Sequence, residues 1–330
     1  MIRLPKMDHA APSTLSDACS LMREQGEKAR LLGGGTDLLV ASKLRNVKPS
    51  LVVSLGGIPE LRGIRFDERE GLRIGAMTTL NELRYDPNVV EHYPALAEAA
   101  ASVGTTQLQY MGTLGGNLCL DTRCMYYNQS EPWRKSRAVC LKMGGDVCHV
   151  VSKGKKCYAV FSGDMAPALI AYEARVKLVD SAGERAVNLK DLYTGDGKSP
   201  NQIKPGEILS DVTIPPPVEK QRSTYLKYRV RGSIDFPLAG VAVRVDLTDG
   251  GLCQDCRIVL NAVSFGPVPV PDAEDVLKGR ELKKDLIAQA AGQATKAAHP
   301  VANAIGATPS YRRKMIGILT RRALMSLANE

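Results

Sequence analysis

Aromatic residues are scarce in this 330-residue chain: Phe, Tyr and Trp make up 5% of it, with a single Trp. No Lys/Arg-rich block is interleaved with them, so a surface for stacking nucleic-acid bases is not expected. Long apolar runs are missing as well. None approaches the roughly 20 residues that a membrane-spanning helix needs, which argues against any membrane association. The opening stretch from Met1 to Asp8 has no apolar core of a secretory signal and carries an early acid, so the chain is expected to be cytoplasmic. Tandem repeats and low-complexity tracts are also absent. What remains is an ordinary globular composition, 44% hydrophobic and 24% charged, with enough apolar material for a sizeable core and a length that suits two or three domains. The net charge of +9 is mostly solvated surface, with docking onto protein subunits or an acidic carrier as its functional use.

Cysteine usage breaks this pattern. Five of the eight cysteines lie between Cys119 and Cys157. In a cytosolic chain such clustering points to metal or redox chemistry rather than to disulfides.

Along the chain, helical and extended patterns alternate for about the first hundred residues, an α+β or α/β signature. Ser13 to Asp17 reads as an N-cap region for a helix to Gln25. Lys28–Leu32, Leu51–Leu55 and Leu72–Ala76 read as strands. Thr36 and Asp37 are expected to cap a helix over Leu38–Lys43. Further helices are expected at Thr78–Leu83, Pro94–Ala100 and Met165–Tyr172, and a strand at Arg175–Val179. Asp121–Lys156 is polar, cysteine-rich and without period; a loop of that length in a compact domain is usually functional. Pro215-Pro216-Pro217 is the expected domain boundary. Beyond it, strands at Ser223–Val230, Ala239–Leu247 and Cys256–Val263 are joined by a turn at Asp249-Gly250-Gly251. The chain then ends in helices at Asp272–Lys278, Lys284–Ala298 and Pro309–Asn329. The domains are read as residues 1–217, with an insertion at about 121–162, and 218–330.

Two glycine segments stand out. Leu31-Leu32-Gly33-Gly34-Gly35-Thr36-Asp37-Leu38 reads as strand, glycine loop and helix. Thr113-Leu114-Gly115-Gly116-Asn117 is a second loop of the same kind. Consecutive glycines let backbone N–H groups converge on one anion, and a helix start adds positive partial charge. Two such loops suit a diphosphate held from two sides. Neither is a Walker A loop or a G-x-G-x-x-G fingerprint.

The pair of motifs resembles the FAD subunits of the xanthine dehydrogenase and CO dehydrogenase family. The resemblance covers essentially the whole chain and implies several things. The fold is a PCMH-type FAD-binding fold of two α/β subdomains followed by a C-terminal α+β domain of sheet plus helices. Both glycine segments cradle the FAD pyrophosphate. Asp164, in Gly163-Asp164-Met165-Ala166-Pro167, contacts the adenosine side. Leu209, in Gly206-Glu207-Ile208-Leu209, packs near the flavin, and Lys227, in Tyr225-Leu226-Lys227-Tyr228, lies over the flavin region. Read without the family, Asp164 is as readily a helix N-cap, Lys227 a solvated strand lysine and Leu209 a core residue.

Between the second glycine segment and Asp164 stand about 40 residues where that family has almost none. They carry Cys124, Cys140, Cys148 and Cys157, separated by 15, 7 and 8 residues. Four thiolates can complete a tetrahedral zinc site or a [4Fe–4S] cluster. The wide spacing lacks the C-x₂₋₄-C knuckles usual for zinc, which favours the cluster; buried, unligated thiols are the third alternative. Cys119 and Cys19 read as packing residues and His149 as a hydrogen-bonding neighbour of Cys148. Trp133 reads as loop packing, and the Cys253/Cys256 pair as structural.

The insertion resembles that of the flavoprotein subunits of 4-hydroxybenzoyl-CoA reductases, through Asp121-Thr122-Arg123-Cys124, Cys140-Leu141-Lys142 and Gly145-Asp146-Val147-Cys148-His149-Val150. That resemblance implies FAD, one [4Fe–4S] cluster on the four cysteines, and no acid–base catalytic residue. It implies a molybdenum-cofactor large subunit and a small subunit with two [2Fe–2S] clusters, together a dimer of heterotrimers. Ferredoxin is the implied electron donor for reductive dehydroxylation of 4-hydroxybenzoyl-CoA on the large subunit. Arg134, Lys135, Arg137, Lys153, Lys155 and Lys156 would then suit an acidic ferredoxin. Two alternatives stay open: a molybdenum hydroxylase that oxidises a heterocycle or aldehyde, and a zinc-stapled nucleotide-binding module without redox work.

Overall fold

Thr14 begins the first helix by accepting a hydrogen bond from the Asp17 N–H. The helix, Leu15–Gln25, turns Ala18 and Cys19 fully inward. In this computed structural model, which describes residues 3–329, the helix packs on a small parallel sheet. Leu51–Ser54 is its centre, with Asp8–Ala10 on one side and Ala29–Leu32 on the other. Parallel neighbours need crossovers, and the first glycine segment lies in the one from Ala29–Leu32 to Leu51–Ser54. Met1, Ile2 and Glu330, part of the N- and C-terminal readings, lie outside the described residues.

A five-stranded antiparallel sheet follows, in the order Ile64–Asp67, Gly71–Gly75, Ile208–Ile214, Arg175–Asp180 and Gly183–Asn188. Helices Leu80–Tyr85, Pro94–Ser102 and Met165–Ala171 contribute to the largest core beside it, around Tyr93, Leu96, Phe161 and Leu169. Leu80–Tyr85 starts from a complete capping box: Thr79 Oγ1 accepts from the Glu82 N–H and Glu82 Oε2 accepts from the Thr79 N–H.

The central strand of this sheet, Ile208–Ile214, escapes a periodicity reading because both its faces are covered and only Thr213 is exposed. The strands Ile64–Asp67 and Gly183–Asn188 were likewise not expected. The second glycine segment also departs from expectation. It is the first turn of a short helix, Leu114–Leu118, with Thr113 as its N-cap, and not an open loop.

Beyond Pro215-Pro216-Pro217, a four-stranded antiparallel sheet runs in the order Val268–Pro269, Cys253–Asn261, Ala239–Leu247 and Gln221–Tyr228. Helices Pro271–Leu277, Lys284–Ala297 and Pro309–Asn329 belong to this part of the chain, and residues from all three join the sheet's apolar side chains in one core. Cys253 and Cys256 are fully buried there. Tyr225, Ala242 and Val259 of this sheet belong to the core of the preceding part of the chain, so the two parts share apolar contacts. The architecture is the α+β arrangement expected, a mixed FAD-binding-type body followed by a sheet-and-helix domain. Among the described residues no helix is long and apolar enough to cross a membrane.

Candidate cofactor cleft and thiol-lined cavity

The first glycine segment follows the Ala29–Leu32 strand and leads into the helix Leu38–Lys43. Gly35 adopts φ +73°, which favours glycine, and its carbonyl accepts from the Leu39 N–H at 3.1 Å. The two glycine segments press on each other. A Cβ on Gly34 would collide with the Met111 carbonyl, and one on Gly33 would stand 2.8 Å from Thr113 Oγ1. Glycine is therefore required where the two stretches of chain meet.

The second segment supplies fewer free donors than expected. The N–H groups of Leu114 and Gly115 bond to the carbonyls of Thr78 and Ala76, that of Gly116 to Thr113 Oγ1, and that of Asn117 to the Thr113 carbonyl. It contributes a close glycine wall. Its Asn117 side chain reaches onward, accepting from the Met165 N–H at 3.1 Å.

That bond places Asp164 beside the cleft. Asp164 does not cap the helix after it. Its two carboxylate oxygens are taken by Tyr225 Oη, at 2.6 Å, and Lys227 Nζ, at 2.8 Å, in a pair with only 4% of either charged side chain exposed. Burial pushes the Asp164 carboxyl up, and Lys227 pulls it back down. Lys227 is thus buried and paired, not a solvated strand lysine. Asn261 donates to Tyr225 Oη at 3.0 Å and to the Gly163 carbonyl at 3.1 Å, extending the network.

Leu209 lies on the buried central strand, 5% exposed. It is close to the second segment through two backbone steps: the Ala76 N–H donates to the Ser210 carbonyl, and the Gly115 N–H to that of Ala76.

The cysteine insertion has little regular structure, a helical turn at Glu131–Lys135 and a 3₁₀ turn at Leu141–Met143. Two isolated bridges give it its shape. Arg123 and Val160 exchange backbone hydrogen bonds at 2.8 and 2.7 Å, which brings Cys124 and Cys157 to the same end of the loop. Cys140 bridges to Val147, so Cys148 follows directly at its side; Gly144, with φ +90°, makes the turn between them. The result is that Cys124, Cys140, Cys148 and Cys157 line one cavity, together with Tyr126, Tyr127, Lys142, Val147, His149, Val150 and Tyr158. No disulfide joins them.

Desolvation pushes the Cys124 thiol up, as do Cys140 and Cys148, against the N–H groups of Tyr126 and Tyr127. Cys157 is also raised by desolvation, with Lys142 acting in the opposite direction. Among the described residues no three His, Cys, Asp or Glu side chains are grouped so as to hold a single metal ion.

The cavity is tied to the cleft. Asp37, expected as a helix cap, caps nothing; it pairs with Arg123 at 3.4 Å, one residue before Cys124. Asn46 donates to the Tyr127 carbonyl at 2.6 Å. Asn303, from the second sheet-and-helix part, donates to the Tyr158 carbonyl at 2.6 Å and accepts from the Met125 N–H through its own carbonyl at 2.8 Å. Arg123, Lys142 and Asn303 carried no expected role; Arg123 precedes Cys124 and Lys142 follows Cys140 by two residues, but no local signal marks Asn303.

Several secondary expectations change. Cys119 lies outside the cavity lining and is open to solvent in part, while desolvation pushes its thiol up to about 12. Arg134 is buried and bonds to the carbonyls of Gln129 and Leu44, so it is removed from the proposed basic docking surface; Lys135, Arg137, Lys153, Lys155 and Lys156 are exposed. His149 Nε2 lies 2.9 Å from the Ala138 carbonyl and its ring stacks on Tyr126.

Comparison with known proteins places this geometry. The family model described as the FAD binding domain in molybdopterin dehydrogenase matches residues 5–217, and that of the CO dehydrogenase flavoprotein C-terminal domain matches residues 224–327. The carbon monoxide dehydrogenase medium chain of Afipia carboxidovorans is 30% identical over 96% of this chain and 95% of its own length. The nicotine 6-hydroxylase medium subunit of Paenarthrobacter nicotinovorans is 27% identical over 98% of each. A crystal structure of the Cu,Mo-CO dehydrogenase in its cyanide-inactivated form superposes with a TM-score of 0.82 at 28% identity, covering 99% of each chain.

Proposed function

This chain belongs to the FAD-binding subunits of the xanthine dehydrogenase and CO dehydrogenase family, and on that premise we propose that it is the electron junction of a molybdenum enzyme. It would hold FAD on Gly33–Gly35 and Thr113–Asn117, and one [4Fe–4S] cluster on Cys124, Cys140, Cys148 and Cys157. The observation that carries the second half is the convergence of those four thiols on one cavity. A flavin exchanges electrons singly or in pairs and a cluster one at a time, so a chain with both connects a two-electron site on a partner to a one-electron carrier.

The protein's own residues have supporting tasks. Gly33 and Gly34 let the chain close tightly on Met111 and Thr113, and the pyrophosphate would lie against that glycine wall. Tyr126, Tyr127, Val147, Val150 and Tyr158 wall the thiols, and the Asp37–Arg123 pair joins the first glycine segment to the insertion. The substrate would be bound by the partner, so this reading assigns no acid–base step to this chain. The zinc-stapled reading uses the same four thiols and differs in the metal found, one zinc in place of four irons.

For the partner's reaction, a molybdenum hydroxylase oxidising a heterocycle or aldehyde is supported better by the relatives, one a nicotine hydroxylase and one a CO dehydrogenase. The reductive reading, removal of the hydroxyl of 4-hydroxybenzoyl-CoA with ferredoxin as donor, rests on the resemblance of the cysteine insertion alone. The exposed Lys135, Arg137, Lys153, Lys155 and Lys156 provide the basic surface it needs.

The test is to isolate the complex anaerobically with whatever subunits accompany this chain, determine iron, molybdenum and flavin, and assay both directions. Oxidation of nicotinate or an aldehyde with an artificial acceptor supports the hydroxylase. Consumption of 4-hydroxybenzoyl-CoA with reduced ferredoxin supports the reductase. A complex without molybdenum overturns both.

A further inference from the structure

Lys142 is the cation of the thiol-lined cavity that is withdrawn furthest from water. Only 5% of its side chain is exposed. Its ammonium has three hydrogens and three acceptors: Asp121 Oδ1 at 2.7 Å, Thr122 Oγ1 at 2.9 Å and the Gly197 carbonyl at 2.6 Å. It also faces the Tyr127 ring, 5.1 Å from the centroid. The group is therefore fixed in position and saturated.

Two links carry it to the cysteines. Lys142 lines the same cavity as the four thiols, and its charge acts on Cys157. The Gly197 residue that accepts from Lys142 donates its own N–H to the Cys157 carbonyl at 3.3 Å. The counter-ion does not cancel this field symmetrically. The Asp121 side chain is 43% exposed and screened by water, whereas the ammonium is enclosed. Seen from the thiols, that wall is positive.

Resting on the reading that the cavity holds a [4Fe–4S] cluster, we propose that Lys142 is a positioning residue for electrons: a fixed positive charge that sets the reduction potential of the centre. Adding one electron to a centre ligated by four thiolates adds one negative charge and changes no bond. A nearby buried cation stabilises the more negative state, and net charge, hydrogen bonding and solvent exposure are the means by which proteins tune such potentials. The role belongs to the permanent charge of the lysine and does not require it to titrate.

The experiment is an EPR-monitored redox titration of the purified protein, unaltered and as Lys142→Met, Lys142→Arg and Asp121→Asn, with iron and flavin measured on each. Lys142→Met is expected to make reduction about tenfold less favourable, a shift of about 59 mV to more negative potential for a one-electron couple. Lys142→Arg keeps the charge and stays near the unaltered value. Asp121→Asn shifts the potential the opposite way and by less. Flavin content is unchanged throughout. An intact cluster whose potential ignores Lys142→Met overturns the proposal, as does Asp121→Asn moving in the same direction as Lys142→Met. Should Lys142→Met lose its iron, the sign of the Asp121→Asn shift decides: upward supports the proposal, and no shift or a downward one overturns it. Iron in the unaltered protein separates the two layers. Its absence defeats the cluster reading and this proposal together, whereas iron with an insensitive potential defeats only the role of Lys142.

Discussion

Around Gly33–Gly35 each turn is bracketed by regular elements: a strand before, a helix after, and the Leu114–Leu118 helix pressed against it. Around Cys124–Cys157 the regular structure amounts to two isolated bridges and two short turns. The cleft is held by backbone hydrogen bonds and by the core beside it, so its shape does not depend on a ligand. The cavity has four thiols facing one another, two of them held up by desolvation and mutual repulsion. An arrangement of that kind draws much of its folding free energy from what it binds. Two sites joined by the Asp37–Arg123 pair and by the hydrogen bonds of Asn46 and Arg134 therefore differ in what maintains them, and each is expected to be lost without the other.

The largest separation is expected from removing a thiol. Cys140→Ala should abolish iron and sulfide binding while flavin content stays at the unaltered level, as read by metal analysis and the flavin absorbance. Loss of both together would mean the cavity and the cleft are one unit.

Next in size is the buried pair beside the cleft. Lys227→Met strands the Asp164 carboxylate among groups with almost no solvent, and breaking such a pair costs about 3–5 kcal/mol. Denaturant unfolding should show the loss, with Lys227→Met/Asp164→Asn recovering part of it; an additive double variant would contradict the pairing.

Gly34→Ala comes third. Its Cβ meets the Met111 carbonyl, and relieving such a collision costs about 1–3 kcal/mol. Flavin affinity should fall while iron stays bound, the reverse of the Cys140→Ala result.

The smallest effect concerns pH. The Cys124 and Cys157 thiols are raised above the ordinary value in the metal-free fold. The unfolded chain therefore releases these protons first. Stability of the metal-free protein is then full below the ordinary thiol range and declines as pH rises through it. Thermal unfolding of metal-free and loaded protein across that range should diverge, because ligated thiolates no longer titrate there.

The same contrast explains what could be read in the sequence. The glycine segments were legible because their residue types dictate backbone behaviour locally, and the helices Leu38–Lys43 and Pro309–Asn329 are bounded as expected from their patterns. The four cysteines were legible as a set because thiols are rare and clustered. Ile208–Ile214 was hidden because a strand covered on both faces has no alternation. Asp37 was misread because an acid before a helix looks like a cap, and only the fold brings Arg123 within 3.4 Å of it. Lys142 and Asn303 were invisible as site residues: burial of one and the long-range contacts of the other are properties of the tertiary structure.

The most direct measurement is the metal and flavin stoichiometry of the chain purified without oxygen. About four irons and four acid-labile sulfides per flavin, with no zinc, is the composition this proposal predicts. One zinc per chain, or flavin with no metal at all, would contradict the account.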